Sequence, residues 1–149
     1  MNDHGHLLAS TIALVVVAYY LQDLVAAHPQ EFLIFTGGYY FSLLYLSPDL
    51  DVKSEPLKRW GLLGVLWLPY THLIRHRGKS HQAVVGFVGR LAYLGGIVFL
   101  FILLIQWWAG IRFDPEPALR FASENRHLML IALGGAWAGS LMHIVEDRI

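Results

Sequence analysis

The sequence contains no cysteine, which excludes disulfides and thiolate metal ligands together. Any metal ion must be held by His, Asp, Glu or backbone oxygen. Charge is scarce as well: 15% of the 149 residues are Asp, Glu, Lys or Arg, where a soluble domain carries about 25%. The formal net charge is zero. With no Lys/Arg tract and no aromatic–basic interleaving, no nucleic-acid partner is expected. Also missing are the HExxH helix of zinc proteases, the GxSxG elbow of serine hydrolases, the PSGH element of lipid phosphatases and the HxxHH box of membrane di-iron oxygenases. What is present is apolar: 56% of the residues are hydrophobic, and the mean hydropathy is +0.48.

Those residues are arranged in long runs. Crossing a bilayer takes about 20 mostly apolar residues, and four segments meet this: 7–27, 30–48, 82–110 and 127–146. A fifth, 58–74, has an apolar run of only Gly61–Leu68, stopped by Pro69, and is expected to be an interfacial or re-entrant helix. Its Trp60, Trp67 and Tyr70 suit the headgroup layer. The stretch 114-DPEP-117 and Glu124–Asn125 mark a loop before the last helix. The N-terminal segment carries Asp3 and no Lys or Arg ahead of a long apolar run, so it reads as a retained helix rather than a signal peptide. The expected fold is a single all-α polytopic membrane domain.

Four spans assign every loop to a side. Lys53, Lys58, Arg59, Arg75, Arg77, Lys79 and Arg148 fall on the N-terminal side; Arg112, Arg120 and Arg126 fall on the other. The positive-inside rule makes the first side, with the C-terminus, cytoplasmic in the inner (cytoplasmic) membrane.

The same topology sends His4, His6, Asp49, Asp51, His76, His81, His143 and Asp147 to that cytoplasmic face, from four separate parts of the chain. His28 and His127 go to the opposite face. His143 and Asp147, at i and i+4, share a helix face. Asp49 and Asp51 follow Pro48, and in an extended stretch both would point the same way. Gly78 lets the chain fold back between His76 and His81. Singly, each has a plainer meaning: a helix-end polar pair, a solvated loop, a disordered start. Their convergence favours a site for one or two divalent ions, with zinc expected ahead of manganese or iron.

The runs LSPDLD (46–51), RWG (59–61), LWLPY (66–70), HRGKSHQAVVG (76–86) and RLAY (90–93) resemble an uncharacterised family of integral-membrane proteins described as metal-binding. More distantly, the chain is similar to inner-membrane metal-dependent hydrolases of the YdjM type, which share an early His, a PDxD turn, an HRG-x-SH-like element and a late HxxxD. The resemblance implies His6, Asp49, Asp51, His76, His81, His143 and Asp147 as ligands. His4 and His72 match no position of the pattern, and Leu7 stands where its early motif has Asp.

The functional expectation is a metal-dependent hydrolase of a phosphoester, lipid-linked or otherwise amphiphilic, acting at the bilayer face. Asp49 or Asp51 would bridge ions or accept a proton. Arg75, Arg77 and Lys79 would neutralise phosphate, and Arg90, roughly 12 Å into its span, would anchor Asp147, clamp a phosphate or snorkel. The alternative is a non-catalytic site, structural or sensing. Gly135-x-x-x-Gly139 and Ala136-x-x-x-Ser140 suit helix packing, within the chain or in a homo-oligomer.

Overall fold

The computed structural model describes residues 3–51, 54–73 and 83–147, with backbone alone for Asp3, His4, Asp51 and Leu73. The elements are α1 (Asp3–Tyr20), α2 (Gln22–Ala27), α3 (Pro29–Tyr45), a 3₁₀ turn (Pro48–Asp51), α4 (Glu55–Arg59), a longer 3₁₀ segment (Gly61–Trp67), α5 (Leu68–Leu73), α6 (Val85–Ala109), α7 (Glu116–Glu124) and α8 (Arg126–Glu146). The described residues are all-helical and contain no strand.

The expected first span is built from α1 and α2. The amide of Leu21 still bonds the carbonyl of Val17, and that of Val25 bonds Leu21, so the ladder passes through the bend between the two helices. Pro29 then opens α3, where its missing N–H is one the helix start leaves unused. Two helices, α6 and α8, are long and apolar enough to cross a membrane by length and composition. Little of α6 is buried against the rest of the chain, and its end displays Trp107 and Trp108, 83% and 84% exposed.

The tightest helix pair is α3 with α8, which run parallel and meet backbone to backbone. A methyl in place of the Gly135 hydrogen would sit 2.0 Å from the Phe35 carbonyl oxygen, and one at Gly139 would sit 2.4 Å from that of Tyr39. Gly135-x-x-x-Gly139 therefore packs inside the chain, where the absent side chains let two backbones touch. Tyr39 donates from its hydroxyl to the Ser10 carbonyl at 2.9 Å and clusters with Leu14 and Leu43, fixing α1 alongside.

Three local expectations are corrected. Residues 48–51 wind into a 3₁₀ turn rather than an extended stretch: Pro48 fixes a helical φ, and the Ser47 carbonyl and hydroxyl accept the amides of Leu50 and Asp49. Asp49 and Asp51 thus do not alternate as in a strand. Pro69 lies in the first turn of α5, inside the expected 58–74 segment. Trp67 and Tyr70 are buried with Leu46 and Leu50 rather than exposed, because Tyr93 of α6 packs at a tilt against both and donates to the Leu66 carbonyl at 2.6 Å. The segment's outward face is instead Leu62, Leu63 and Val65. The stretch read as a loop also holds α7, whose first turn is set by Pro115, Pro117 and the Asp114 carboxylate accepting the Glu116 amide at 2.9 Å.

Candidate metal centre

The start of α1, the turn after α3 and the end of α8 meet at one end of the molecule. Each arrives by a local cause. The α3–α8 glycine contact draws the ends of those helices together, the Pro48 turn folds Asp49 back over them, and the Tyr39–Ser10 bond sets the height of α1.

Two imidazoles stand side by side there, His6 and His143, with ring centroids 4.6 Å apart, tilted by 36°, and both side chains buried. Asp147 bridges them: Oδ1 lies 3.3 Å from His6 Nε2 and Oδ2 3.7 Å from His143 Nε2. Asp49 Oδ2 approaches the same His143 Nε2 at 3.1 Å, and Ser47 Oγ is 3.5 Å from it. Ser54 holds the Asp49 backbone by donating to its carbonyl at 2.8 Å. The Asp49 and Asp147 side chains are 20% and 24% exposed, so the cluster is open on their side.

Glu146 was not singled out by the sequence. Its buried carboxylate accepts the Ser10 hydroxyl at 2.7 Å through Oε1 and faces His6 Nδ1 at 3.0 Å through Oε2. A carboxylate that is already accepting draws the imidazole proton to Nδ1 and leaves the lone pair on Nε2, the arrangement of a histidine prepared to ligate. The signal was present: His143, Glu146 and Asp147 stand at i, i+3 and i+4 on one helix face.

The donor chemistry fits a metal ion. A neutral imidazole has one N–H, yet both nitrogens of His6 face carboxylate oxygens, and His143 Nε2 faces two. A cation held among these oxygens and nitrogens would supply the positive charge that they face. One donor atom each from His6, His143 and Asp147 lies within 4.8 Å of the others. A tetrahedral ion with bonds of about 2.0–2.1 Å separates its ligand atoms by about 3.4 Å, close to the 3.1, 3.3 and 3.7 Å contacts here.

The other candidate residues are distributed as follows. His76, His81, Arg75, Arg77 and Lys79 lie outside the described residues, as do the side chains of His4 and Asp51. Arg90 is fully buried five residues into α6 and donates from Nη2 to Ser140 Oγ at 2.6 Å, one turn before His143 on α8. That position is inside the protein rather than snorkelled to a surface. His28 and His127 both line a separate, mainly apolar cavity of about 600 Å³. No three ligand side chains converge there among the described residues.

Fold and site together define an all-helical protein with a buried His/Asp cluster suited to a divalent ion. Residues 2–149 match the family described as "Uncharacterized metal-binding protein (DUF2227)", and the chain belongs to that family. It is also 34% identical over 134 residues to an uncharacterised protein of Aquifex aeolicus (strain VF5), covering 81% of this chain and 93% of the relative. No solved structure matches it significantly.

Proposed function

We propose that this chain is a membrane-embedded metal protein whose His/Asp centre hydrolyses a phosphoester at the cytoplasmic face of the inner membrane. The observation that carries this reading is the Asp147 carboxylate spanning His6 Nε2 and His143 Nε2 beside Asp49, in a cluster open on one side. A closed four-ligand site suits structure; an open one suits chemistry.

In this reading His6, Asp49, His143 and Asp147 hold the ion, zinc ahead of manganese or iron, with His76 and His81 completing the set or holding a second ion. When bound, the ion supplies Lewis acidity and lowers the pKa of a coordinated water. Asp49, held through Ser47 and Ser54 and partly exposed, would either help to hold the ion or serve as a proton acceptor beside it. Glu146 keeps the His6 proton on Nδ1 throughout. Arg75, Arg77 and Lys79 neutralise the phosphate.

Four spans are proposed: α1 with α2, α3, α6 and α8. Support comes from the apolar surface left exposed on α6 and on Leu8, Val15, Val17 and Leu33 of α1 and α3, an area that suits lipid better than water. The larger share of Lys and Arg on the side of the metal centre favours its cytoplasmic placement. A structural site is the second reading, favoured by the origin of the ligands in three separate elements, which an ion would tie together.

Elemental mass spectrometry of the detergent-purified protein beside a His143→Ala variant tests the centre. About one to two equivalents of metal are expected in the wild type and loss in the variant. Negligible metal in the wild type after reconstitution with zinc, manganese and iron would overturn the reading. Full metal without hydrolysis across a phosphoester screen would leave the structural site in its place.

A further inference from the structure

We propose that the cavity between α1, α2 and α3 binds one acyl chain of a zwitterionic membrane phospholipid, whose ammonium meets Glu31 and whose phosphate meets His28 and His127. The site lies at the end of the molecule opposite the metal centre and shares no residue with it. Of the reading above, it rests only on the placement of α1–α3 in a bilayer.

The cavity follows from how the first helices are joined. Near the metal centre α1 is held to α3, where the Tyr39 hydroxyl donates to the Ser10 carbonyl at 2.9 Å and the Tyr40 hydroxyl to Thr11 Oγ1 at 3.2 Å. From Leu14 to the corner at His28, no side-chain hydrogen bond ties α1 or α2 to α3 among the described residues, and a cavity of about 600 Å³ opens there. Ligand cavities hold about 300–1,000 Å³; this one has room for a single alkyl chain and not for both chains of a phospholipid. About 20 Å of helix, at about 1.5 Å per residue, separates Leu14 from His28, comparable with half of a hydrocarbon core about 30 Å thick. Val17, Leu21 and Leu24 in the lining stand half-exposed, an apolar surface that an alkyl chain covers.

The lining is apolar except at three side chains, His28, Glu31 and His127. All three sit at helix ends: His28 at the α2–α3 corner, Glu31 in the first turn of α3 and His127 in that of α8. His28 Nδ1 lies 3.6 Å from Glu31 Oε1, longer than a hydrogen bond, and the His127 imidazole has no hydrogen bond or ion pair among the described residues. An imidazole offers an N–H that a phosphate oxygen accepts, and a carboxylate accepts from an ammonium. An anionic head would leave Glu31 opposed to its charge, and a cationic head would leave the imidazole donors unused. A zwitterion engages all three.

The test uses the full chain purified in detergent and stripped of lipid, as wild type, Ala18→Trp, which fills the cavity from α1, and Glu31→Gln, which neutralises its rim. Each is titrated with dipalmitoyl phosphatidylethanolamine and with dipalmitoyl phosphatidylglycerol, and bound lipid is counted by native mass spectrometry. The wild type is expected to take one phosphatidylethanolamine saturably, and more tightly than phosphatidylglycerol. Ala18→Trp is expected to bind it at least about tenfold more weakly. Glu31→Gln is expected to bind it about 2- to 5-fold more weakly, the loss of one partly exposed charge pair.

No saturable single lipid on the wild type, undiminished binding by Ala18→Trp, or phosphatidylglycerol bound as tightly as phosphatidylethanolamine overturns the proposal. Where Ala18→Trp does not fold, weakened phosphatidylethanolamine binding by Glu31→Gln supports it and undiminished binding overturns it. Alkaline carbonate extraction of membranes reports the placement separately. A chain that stays in the membrane fraction yet takes no lipid overturns this proposal alone, whereas one released to the soluble fraction overturns the placement and this proposal with it.

Discussion

Gly134 and Gly135 are neighbours on α8, yet a methyl group at each should have opposite effects. At Gly134 an added Cβ meets nothing within 4 Å, whereas at Gly135 it lies 2.0 Å from the Phe35 carbonyl oxygen, 2.9 Å from the carbonyl carbon and 3.1 Å from Cα. Backbone cannot swing aside as a flexible side chain can. To restore a tolerable carbon–oxygen contact, α3 and α8 must separate by about 1–1.4 Å, and interiors resist such shifts because they are close-packed. Overpacking of this kind costs about 1–3 kcal/mol. The displacement also reaches the metal centre, since His143 and Asp147 ride on α8 while Asp49 follows α3. Ligand distances hold within about 0.2 Å in a working site, so the 3.1 Å approach of Asp49 to His143 cannot survive a shift several times larger. Gly135→Ala is expected to lower the melting temperature in detergent by several degrees and the zinc affinity at least tenfold, although it lies two turns from the nearest ligand. Gly134→Ala should keep wild-type affinity and gain up to about 1 kcal/mol of helix stability. Thermal unfolding and a competitive zinc titration of the three proteins decide the matter. Wild-type stability and affinity in Gly135→Ala would show that the α3–α8 contact does not set the site.

Glu146→Gln removes the negative charge that holds the His6 proton on Nδ1 while keeping shape; metal affinity should fall about 10- to 100-fold, measured by the same titration, with Ser10→Ala giving a smaller loss in the same direction. The absence of native cysteine makes single-cysteine labelling clean: in intact cells, a cysteine replacing Gly110 should react with an impermeant maleimide and one replacing Lys58 should not. The reverse pattern would refute the cytoplasmic placement of the centre.

The all-helical character and the long apolar helices α6 and α8 were legible because long apolar runs declare themselves locally. Tracing the chain back and forth was enough to bring His6, Asp49, His143 and Asp147 to one end. What escaped depended on contacts between distant parts. Trp67 and Tyr70 have the amphipathic chemistry of an interfacial belt, and only the arrival of Tyr93 from α6 makes them a buried cluster. Asp49 and Asp51 looked like alternating strand positions because nothing local reveals that the Ser47 hydroxyl and carbonyl will wind the turn. Glu146 was hidden beside a more familiar HxxxD spacing, and its purpose appears only once His6, 140 residues away in sequence, lies against it.

The bond between His6 and Glu146 joins the first helix to the last. At about 5–20 residues per second, some 7–28 s of synthesis separate the two side chains. Through that interval α1 has neither Glu146 nor Asp147 to fix its imidazole, and the α8 ends that define the centre do not exist. The centre is thus a late event in biogenesis, reached only after the intervening helices are in place. Acquisition of the ion then reports that the helices from α1 to α8 have come together, and a protein stalled before α8 is left unable to hold it.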